Sequence, residues 1–487
     1  MTQSGPIHFL ARQPRWLMLS LVAIIARVAT FGNPIVHVDE SFYFVTARAM
    51  LDGALPFVDV WDRKPIGLFL VYVPAAAFGL PLGIWVYQAM ALAAVVATAL
   101  LIARLADRAG WRRGALAGAI TYIVWLDLLE GQGGQAPVFY NLLTVGAAAL
   151  IASSDRDHDP RSRLRRGLGA MALVGVALQI KYSVVFEGLF FGLWWLWRER
   201  MRRRHAVPML AEGALLAVVA LIPTALAWGY YQAIGQGPAF LYANFTSIAA
   251  RQPDPILEQL GNLFKIVLIT SPLFAAAILA FLRGERRGIR GWLFAWLAAA
   301  VFGLLVFGSW FDHYALPALV PLSICAAGFA DDPRRASKIT VIALLIAFLA
   351  GEVTVVTKRM GRGGPEQFAQ VVDAIGHGPG CLYVYSGDSM LYPMSGRCRL
   401  SPYVFPSHLG RKRERGAIGV DQQAEIERIL ALKPAVVVLR TPYFGERSEL
   451  RALVIMRTAR DYRLKAAVPI GRDTNFVYAL KSGDQAR

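Results

Sequence analysis

The sequence predicts a polytopic α-helical membrane protein with a small C-terminal extracytoplasmic α/β domain. Of its 487 residues, 56% are hydrophobic and 17% are charged, and the mean hydropathy is +0.45. A soluble protein of this length carries about 25% charged residues. Apolar runs of spanning length are separated by short arginine-rich loops, and strand-like segments begin after about residue 358. These observations predict about 11 transmembrane helices followed by a soluble domain.

The predicted spans occupy the first 357 residues. They cover residues 16–32, 82–104, 114–129, 137–153, 167–181, 183–198, 208–231, 261–282, 290–309, 314–330 and 338–357. We therefore divide the chain into a transmembrane module, residues 1–357, and a soluble domain, residues 358–487. No cleavage site of small residues follows the first apolar run, so we interpret that run as an uncleaved span and not as a signal peptide.

Arginine placement predicts the orientation of the chain. The loops RLADRAGWRRG, DRDHDPRSRLRRG, RERMRRRH, RGERRGIRG and DDPRRASK fall at every second connection between spans. Because basic residues concentrate in cytoplasmic loops, the N-terminus is expected in the cytoplasm and the C-terminus outside. The same pattern accounts for the net charge of +18, so it favours a membrane topology over nucleic-acid binding.

The first outer loop, residues 33–81, is unusually polar for this chain. Its stretch ESFYFVTARAMLDG predicts a short helix, with Asp39 as the N-cap and Gly53 just past its end. PFVDVWDRKP follows as a polar turn. IGLFLVYVPAAAFGLP is interrupted by proline, which favours a juxtamembrane helix in the interface, with a re-entrant segment as the alternative.

The soluble domain is predicted from short strand and helix patterns. CLYVYSGD, AVVVLR and NFVYAL are typical of strands, and DQQAEIERILAL is typical of an amphipathic helix. Cys381 and Cys398 lie in this domain, where a disulfide and two unpaired strand cysteines are both open. Cys325 lies in a span and is expected to serve packing. The sequence holds no internal repeat, Walker loop, Rossmann fingerprint, zinc spacing or nucleophile elbow.

Charged and aromatic residues of the first outer loop are the strongest candidates for chemistry. Asp39 and Glu40 could simply cap a helix, but Arg63 and Lys64 follow in the same loop, with Tyr43 and Trp61 adding aromatic surface. A carboxylate near phosphate-binding cations at the lipid boundary suits a reaction in which it deprotonates an acceptor hydroxyl while a lipid phosphate departs. The alternative for Lys64 is a cation that snorkels to anionic headgroups.

Further candidates lie at the outer ends of other spans. Lys181, in GVALQIKYSVVFEGL, stands where basic residues are disfavoured, and a phosphate contact competes there with snorkelling. His313 and Tyr314 open the tenth span and suit phosphate orientation, a metal or an aromatic belt. The acceptor or sugar contacts are expected from four residues: Tyr43, Glu130, Gln135 and Arg251. For Glu130 the role of an ordinary loop carboxylate is equally open, and Arg251 is a candidate for phosphate as well as acceptor binding.

These motifs together resemble the C-type glycosyltransferases, in particular the branch of protein mannosyltransferases and bacterial aminoarabinose transferases. VDESFYFVTARAMLDGALPFVDVWDRKPIG resembles the first outer loop of that branch, although Ile66 replaces the second proline of its Lys-Pro-Pro-like turn. GVALQIKY and FDHYALPALVPL resemble the Lys-ending span and the His-Tyr outer segment. YVYSGDSMLYPMSGRCRLSPYVF resembles the trailing periplasmic domain of bacterial members.

The resemblance implies a donor sugar linked to polyprenyl phosphate and transfer with inversion in a bacterial plasma (inner) membrane. It implies Asp39 as the base, Glu40 for orientation or an optional divalent metal, and Lys64 with Lys181 for the lipid phosphate. His313 and Tyr314 follow more weakly. A polyprenyl chain gains about 0.8 kcal/mol per buried CH₂, which keeps such a donor in the leaflet.

Other functions stay open at this point. A transporter or flippase would place ionisable residues near mid-membrane and often show internal repeats, whereas this chain concentrates charge at the outer rim. A membrane scaffold whose outer domain binds a partner is the third alternative. The sequence names neither the sugar, hexose or pentose, nor the acceptor, which could be a lipid, a glycan or a protein, and it leaves metal dependence and oligomeric state undetermined.

Overall fold

The computed structural model describes residues 14–202, 207–284, 287–333 and 336–481, and these are mostly helical. Residues 1–13, on which the prediction of an uncleaved first span partly rests, lie outside the described residues. The helices of the apolar segments are α1 (Arg15–Arg27), α4 (Leu82–Arg108), α5 (Ala115–Leu128), α6 (Ala136–Ser154), α7 (Pro160–Leu178), α8 (Val185–Arg202), α9 (Val207–Ala233), α10 (Ile256–Arg283), α11 (Gly288–Phe307), α12 (Leu316–Ala330) and α13 (Ala336–Arg362). Each of the predicted spans thus coincides with a helix.

The remaining elements belong to the first outer loop and the C-terminal part. The longer ones are α2 (Val38–Leu51), α3 (Ile66–Ala77), α14 (Pro365–Ile375), β1 (Leu382–Val384), α15 (Gln422–Ala431), β2 (Val436–Arg440), α16 (Ser448–Asp461), β3 (Tyr462–Ile470) and β4 (Asp473–Leu480). Short helical turns lie at Val28–Thr30, Tyr182–Val184, Gly237–Leu241, Tyr242–Thr246, Ser247–Ala249, Asp312–Ala315, Leu391–Ser395, Ser407–Gly410 and Lys412–Glu414.

Seven helical segments among the described residues are long and apolar enough to cross a membrane. They are Leu82–Arg108, Ala136–Ser154, Met209–Ala233, Ile256–Arg283, Gly288–Phe307, Asp312–Ala330 and Lys338–Ile375. The chain is therefore a multi-pass membrane protein. The other predicted spans coincide with α1, α5, α7 and α8, which are shorter or more polar, so the total of eleven crossings stays a prediction.

The chain divides into two compact units. Unit 1 comprises residues 1–29, 88–225 and 255–355, and unit 2 comprises residues 30–87, 226–254 and 356–487. In unit 1, α12 is the most buried candidate span and packs against α5, α10 and α11. Gly118 of α5 permits this packing, because a Cβ there would lie 2.8 Å from the Ala327 Cβ and the Ser323 carbonyl oxygen of α12.

Unit 2 contains a four-stranded sheet with the order β1-β2-β4-β3. β1 pairs in parallel with β2, and the other two pairings are antiparallel. Val437 and Leu439 of β2 form a core with apolar side chains of α15 and α16, and Trp61 of the first loop packs in the same core. A disulfide joins Cys381 to Cys398, so the bridged alternative is the one that the structure shows.

The first-loop helix differs from its prediction at one end. α2 begins at Val38, and His37 is the N-cap because its ring Nδ1 accepts a hydrogen bond from the Asp39 backbone N–H at 3.1 Å. The prediction of Asp39 as the N-cap was wrong, since Asp39 lies in the first turn. Gly53 follows the helix with φ +89°, as predicted for a residue just past the C-terminus.

Candidate functional site

The start of α2 holds two carboxylates in different surroundings. Asp39 keeps about 17% of its side-chain surface exposed, whereas Glu40 is buried. Both lie in the first helical turn, where the helix dipole favours negative charge. Glu40 is close enough to Tyr43 and Tyr72 to act on them electrostatically. Asp39 is thus the carboxylate that solvent or a ligand can reach.

Lys64 links Asp39 to a second carboxylate, Asp62. Its Nζ lies 3.0 Å from Asp62 Oδ2 and 3.7 Å from Asp39 Oδ1, and 29% of the side chain is exposed. Burial opposes the charge on Lys64, but the two carboxylates outweigh it and raise the pKa of the ammonium group. Burial likewise raises the pKa of Asp62, and the Lys64 charge more than reverses this, so its pKa lies below the usual range. We call Asp39, Asp62 and Lys64 the Lys64 cluster.

Aromatic rings surround the Lys64 ammonium group. Its Nζ lies 5.3 Å from the ring centroid of Tyr43, 5.7 Å from Phe42 and 5.6 Å from Phe405. Such rings attract a cation and restrict its position. Burial and the Asp39 charge raise the pKa of Tyr43 well above its usual value, so Tyr43 stays neutral and acts as a wall of the cluster.

Arg63 and Arg251 converge on one buried carboxylate, Glu414. Arg63 Nη2 donates to Glu414 Oε2 at 2.7 Å, and Arg251 Nη2 lies 2.7 Å from Oε1. Burial raises the pKa of Glu414, but Arg251 and Arg63 outweigh it and lower the pKa to about 2. The structure therefore joins the first outer loop, the loop after α9 and the C-terminal part of unit 2 through ionised groups.

Four predicted residues of unit 1 form a second contact set. Lys181 Nζ lies 4.4 Å from the ring centroid of Tyr314, and the rings of Tyr314 and His313 are 5.0 Å apart. His313 Nδ1 lies 3.7 Å from Glu130 Oε2. We call Glu130, Lys181, His313 and Tyr314 the Tyr314 cluster. Gln135 is buried at the residue before α6 and is not part of these contacts.

A cavity of about 320 Å³ in unit 1 lies away from the predicted residues. It is lined by α5, α10, α12 and α13, and its lining is almost entirely apolar. None of the predicted site residues lines it, so polar chemistry is better sought at the two clusters.

Sequence reasoning missed Asp62 and Glu414. Asp62 stands two residues before Lys64 in the first outer loop, so the spacing was a usable signal. Glu414 lies in RKRERG, more than 300 residues from Arg63, and only the fold brings them together. His408 was missed too: burial lowers the pKa of its imidazole to about 3, which keeps it neutral beside Asp62.

The Lys64 cluster can accept a proton and hold an anion. Asp39 is a reachable carboxylate, and the ammonium group beside it can contact a phosphate oxygen. Lys64 donates a hydrogen bond to Asp62 at 3.0 Å, and the Asp62 charge favours the charged form of the ammonium group. These are the elements that transfer from a phosphate-linked donor to a hydroxyl requires.

Comparisons with known proteins point to one fold. No family model matches the chain, and no curated protein matches it. The chain is similar to the solved structure of ArnT, an aminoarabinose transferase, from Cupriavidus metallidurans in the apo state, with a TM-score of 0.69 and 15% identity over 99% of each chain. It is also similar to the same protein bound to undecaprenyl phosphate, with a TM-score of 0.67 and 14% identity over 98% of each chain.

A third similar structure is the oligosaccharyltransferase of Archaeoglobus fulgidus, with a TM-score of 0.53 and 11% identity over 90% of this chain and 70% of that one. At these identities the likeness concerns the fold alone. The chain has the fold of the C-type glycosyltransferases, which confirms the fold implied by the sequence resemblance.

Proposed function

From this C-type glycosyltransferase fold we propose that the protein is an integral membrane glycosyltransferase that takes its sugar from a polyprenyl-phosphate-linked donor. The observation that carries the proposal is the contact of Lys64 with Asp39 and Asp62 at the start of α2. The ArnT structure with undecaprenyl phosphate supports a donor of this class. The acceptor is an extracytoplasmic lipid, glycan or protein.

Asp39 is the base of the proposed reaction. It takes the proton of the acceptor hydroxyl while the acceptor oxygen bonds to the anomeric carbon of the sugar. The bond from that carbon to the phosphate oxygen breaks, and the electron pair leaves with the phosphate. Attack from the face opposite the leaving group inverts the anomeric carbon. The exposure of Asp39 and its place in the first turn of α2 support this role.

Lys64 stabilises the departing phosphate in this proposal. A phosphate that leaves with negative charge gains most from a cation that is already oriented. The aromatic rings and Asp62 hold the ammonium group in place, so little reorganisation is needed. Arg63 supports the same turn through Glu414. The proposal leaves metal dependence undetermined. Glu40, the carboxylate next to Asp39, would be a ligand of a divalent metal.

We extend the proposal to the Tyr314 cluster because of its own contacts. Lys181 is a cation that lies just after α7 with its ammonium group over the Tyr314 ring, which suits a phosphate contact. His313 would orient the phosphate, and Glu130 and Gln135 would contact sugar or acceptor. The orientation with the N-terminus in the cytoplasm, the soluble domain from residue 358 and the bacterial plasma membrane also belong to the proposal.

Asp39→Asn tests the proposal directly. A general base contributes about 10²–10⁴ to the rate, so transfer should fall at least 100-fold while the protein still inserts and folds. Mass spectrometry of envelope glycolipids from a deletion strain and its parent first identifies the sugar and the acceptor. The assay then measures transfer of that sugar from an undecaprenyl-phosphate-linked donor by membranes that contain the protein. Asp52→Asn is the matched control, because Asp52 is the C-cap of the same helix and its exposed side chain pairs with Arg48 at 3.2 Å.

Two results would contradict the proposal. One is transfer at the wild-type rate by Asp39→Asn. The other is a purified wild-type protein that moves a lipid-linked substrate across reconstituted vesicles and transfers no sugar, which is the outcome that a flippase would give.

A further inference from the structure

The two parallel strands of the sheet in unit 2 run side by side to their carboxyl ends, and polar residues follow them. β1 ends at Val384 and leads into SGDS, residues 386–389, whereas β2 ends at Arg440. The Ser386 hydroxyl accepts a hydrogen bond from the Arg440 backbone N–H at 3.0 Å, which ties the two strand ends together. Ligands of open α/β sheets bind in the crevice outside the carboxyl ends of the parallel strands. A ligand of unit 2 is therefore expected at this end of the sheet.

Three polar atoms at this end of the sheet are buried and have no hydrogen-bond partner among the described residues. They are Ser389 Oγ, Asn475 Oδ1 and Arg440 Nε. Ser389 is 0% exposed and Asn475 is 5% exposed. Buried polar atoms are almost always paired, because an unpaired one loses its hydrogen bonds to water and gains none in return. These three atoms therefore indicate a bound molecule with complementary groups.

Strand pairing brings these groups together. Arg440 of β2 is the direct cross-strand neighbour of Asn475 in β4, so their side chains lie on the same face of the sheet. Asn475 Oδ1 lies 3.8 Å from the position that a Cβ of Gly387 would take, so this oxygen faces the segment after β1. Asp388 follows, and burial raises the pKa of its carboxyl group to about 6, which nearby groups including the Arg440 charge offset only in part. We call Asp388, Ser389, Arg440 and Asn475 the Asp388 site.

The Asp388 site is open on the side of Arg440. The Arg440 side chain is 35% exposed, and its Nη1 lies 3.5 Å from Asp473 Oδ2, at the outer limit of a hydrogen bond. Asp388 is partly exposed as well. The Arg440 guanidinium carbon lies 4.8 Å from the ring centroid of Tyr443, and the next residue, Phe444, is 73% exposed. The site thus offers a ligand charged groups with aromatic surface beside them.

The donors and acceptors of the Asp388 site select a ligand that carries hydroxyl groups. Arg440 only donates hydrogen bonds, whereas an ionised Asp388 and the Asn475 amide oxygen only accept them. A phosphate offers acceptors and would be repelled by Asp388, and an ammonium group offers donors and would be repelled by Arg440. A hydroxyl group both donates and accepts, so neighbouring hydroxyls of a sugar ring can pair with the carboxylate and the guanidinium at once.

We propose that the Asp388 site binds a neutral saccharide through neighbouring ring hydroxyls, and that this saccharide is part of the acceptor. The identification as acceptor rests on the proposed glycosyl transfer. The short helix Leu391–Ser395, which follows the site, contacts α2, the helix that carries Asp39. The Ser41 hydroxyl of α2 is also close enough to Asp388 to act on its carboxylate. The saccharide would thus be held beside the helix of the proposed base, which makes the acceptor a sugar-bearing molecule.

A glycan array tests the proposal with the full-length protein in lauryldimethylamine oxide, a detergent that contains no sugar. The probes are printed neutral and phosphorylated oligosaccharides of bacterial envelopes. Neutral oligosaccharides should retain the wild type, and Arg440→Gln and Asp388→Asn should each weaken that binding about tenfold, as expected for the loss of one charged hydrogen bond. Arg463→Gln is the matched control and should leave the affinity unchanged, because Arg463 is an exposed arginine of β3, which pairs with neither β1 nor β2.

Ser389→Ala separates a binding role from a structural one. The Ser389 hydroxyl has no partner among the described residues, so its loss should leave the unfolding temperature at the wild-type value or above and weaken retention about threefold. This variant decides the matter if thermal unfolding shows that neither Arg440→Gln nor Asp388→Asn is folded. No retention of the wild type by neutral oligosaccharides, wild-type affinity in the folded variants, or competition by inorganic phosphate would each overturn the proposal.

Transfer kinetics distinguish a failure of this inference from a failure of the proposed function. With the acceptor that mass spectrometry identifies, Arg440→Gln should raise the acceptor KM about tenfold and leave kcat and the donor KM unchanged. Sugar transfer by the wild type to an acceptor without any saccharide would contradict this inference alone. A wild-type protein that transfers no sugar would contradict the proposed function, and retention on the array would then still decide whether the saccharide site exists.

Discussion

Glu414 shows how a single buried carboxylate can join distant parts of a chain. Its side chain is about 1% exposed, and it contacts guanidinium groups from two separate loops as well as its neighbour Arg413. A buried carboxylate without such partners would take up a proton. Here the arginines keep it ionised, so removing it would leave several buried cations with one partner fewer.

Stability should therefore depend on pH through Glu414. The folded pKa is about 2, below the ordinary value of 4.5, so the unfolded chain binds the proton more readily. The stabilisation is complete above about pH 4.5 and is lost as the pH falls from 4.5 towards 2. One pKa unit is worth about 1.4 kcal/mol, which gives a loss of about 3 kcal/mol over this interval. Thermal unfolding of purified protein across this interval measures it.

Glu414→Gln provides the comparison for that pH series. The variant should be destabilised by about 3 kcal/mol at pH 7, because the arginines lose a buried charged partner. Its unfolding temperature should also fall less steeply than that of the wild type between pH 4.5 and pH 2. Parallel pH curves for the two proteins would show that Glu414 is not the titrating group.

At the scale of single residues, the sequence predicts which residues belong to the candidate site better than it predicts the side chains that they contact. Position and composition alone single out Asp39, Lys64, Lys181 and Tyr314. Contacts within each unit place Lys64 with Asp39 and Lys181 with Tyr314. The assignment of Asp39 as N-cap failed because His37 offers a ring nitrogen at the preceding position, an unusual cap that residue preferences do not favour. The catalytic roles themselves stay predictions.

Helix packing in unit 1 depends on small residues. Gly118→Ala should destabilise the protein by about 1–3 kcal/mol, because the new methyl group would meet α12 at 2.8 Å. Gly229→Ala is the matched control, since an added Cβ at Gly229 of α9 would meet no described atom outside its own helix backbone within 4 Å. Alanine favours a helix over glycine, so this control should be neutral or slightly stabilising. Thermal unfolding in detergent compares them, and equal losses at both positions would contradict the packing argument.

The disulfide should stabilise the C-terminal part of unit 2. Cys381 and Cys398 are 17 residues apart, and closing a loop of about that length is worth about 3 kcal/mol. Cys381→Ser should make this part cleavable by protease at lower urea concentrations. Reducing agent should bring the wild type to the same level and have no further effect on the variant. Cys325→Ala, which removes the buried free cysteine of α12, should retain the response to reducing agent.

Elements were predictable where their pattern was regular. The apolar runs gave helices, and CLYVYSGD, AVVVLR and NFVYAL gave β1, β2 and β4. β3 was missed because it is the edge strand of the sheet and a bulge between Leu464 and Ala466 breaks its alternation. Its first half exposes Arg463, Leu464 and Lys465 in succession, which does not resemble a half-buried strand.

The architecture of the whole molecule follows from apolar periodicity, but its division into units does not. Trp61 of the first loop packs with side chains of β2 and α15, residues that the sequence places more than 350 positions away. The residues around Trp61, VWDRKP, do not indicate which side chains its indole ring contacts, since such a ring packs against many kinds of apolar surface. Long-range packing of this kind is the part of the fold that a single sequence does not predict.

The orientation of the whole chain in the membrane gives the last prediction. Arginine-rich loops at alternate connections should keep residue 157 in the cytoplasm and place residue 481 outside. Alkaline phosphatase, which folds only in an oxidising compartment, should then be active when fused after residue 481 and inactive after residue 157. Green fluorescent protein fused at the same two positions should show the opposite pattern and serves as the control for expression. Fluorescence of the fusion at residue 481 would contradict the prediction, because it would place the C-terminal segment in the cytoplasm. The proposed site at α2 would then face the cytoplasm too, since α2 and the C-terminal segment belong to the same compact unit.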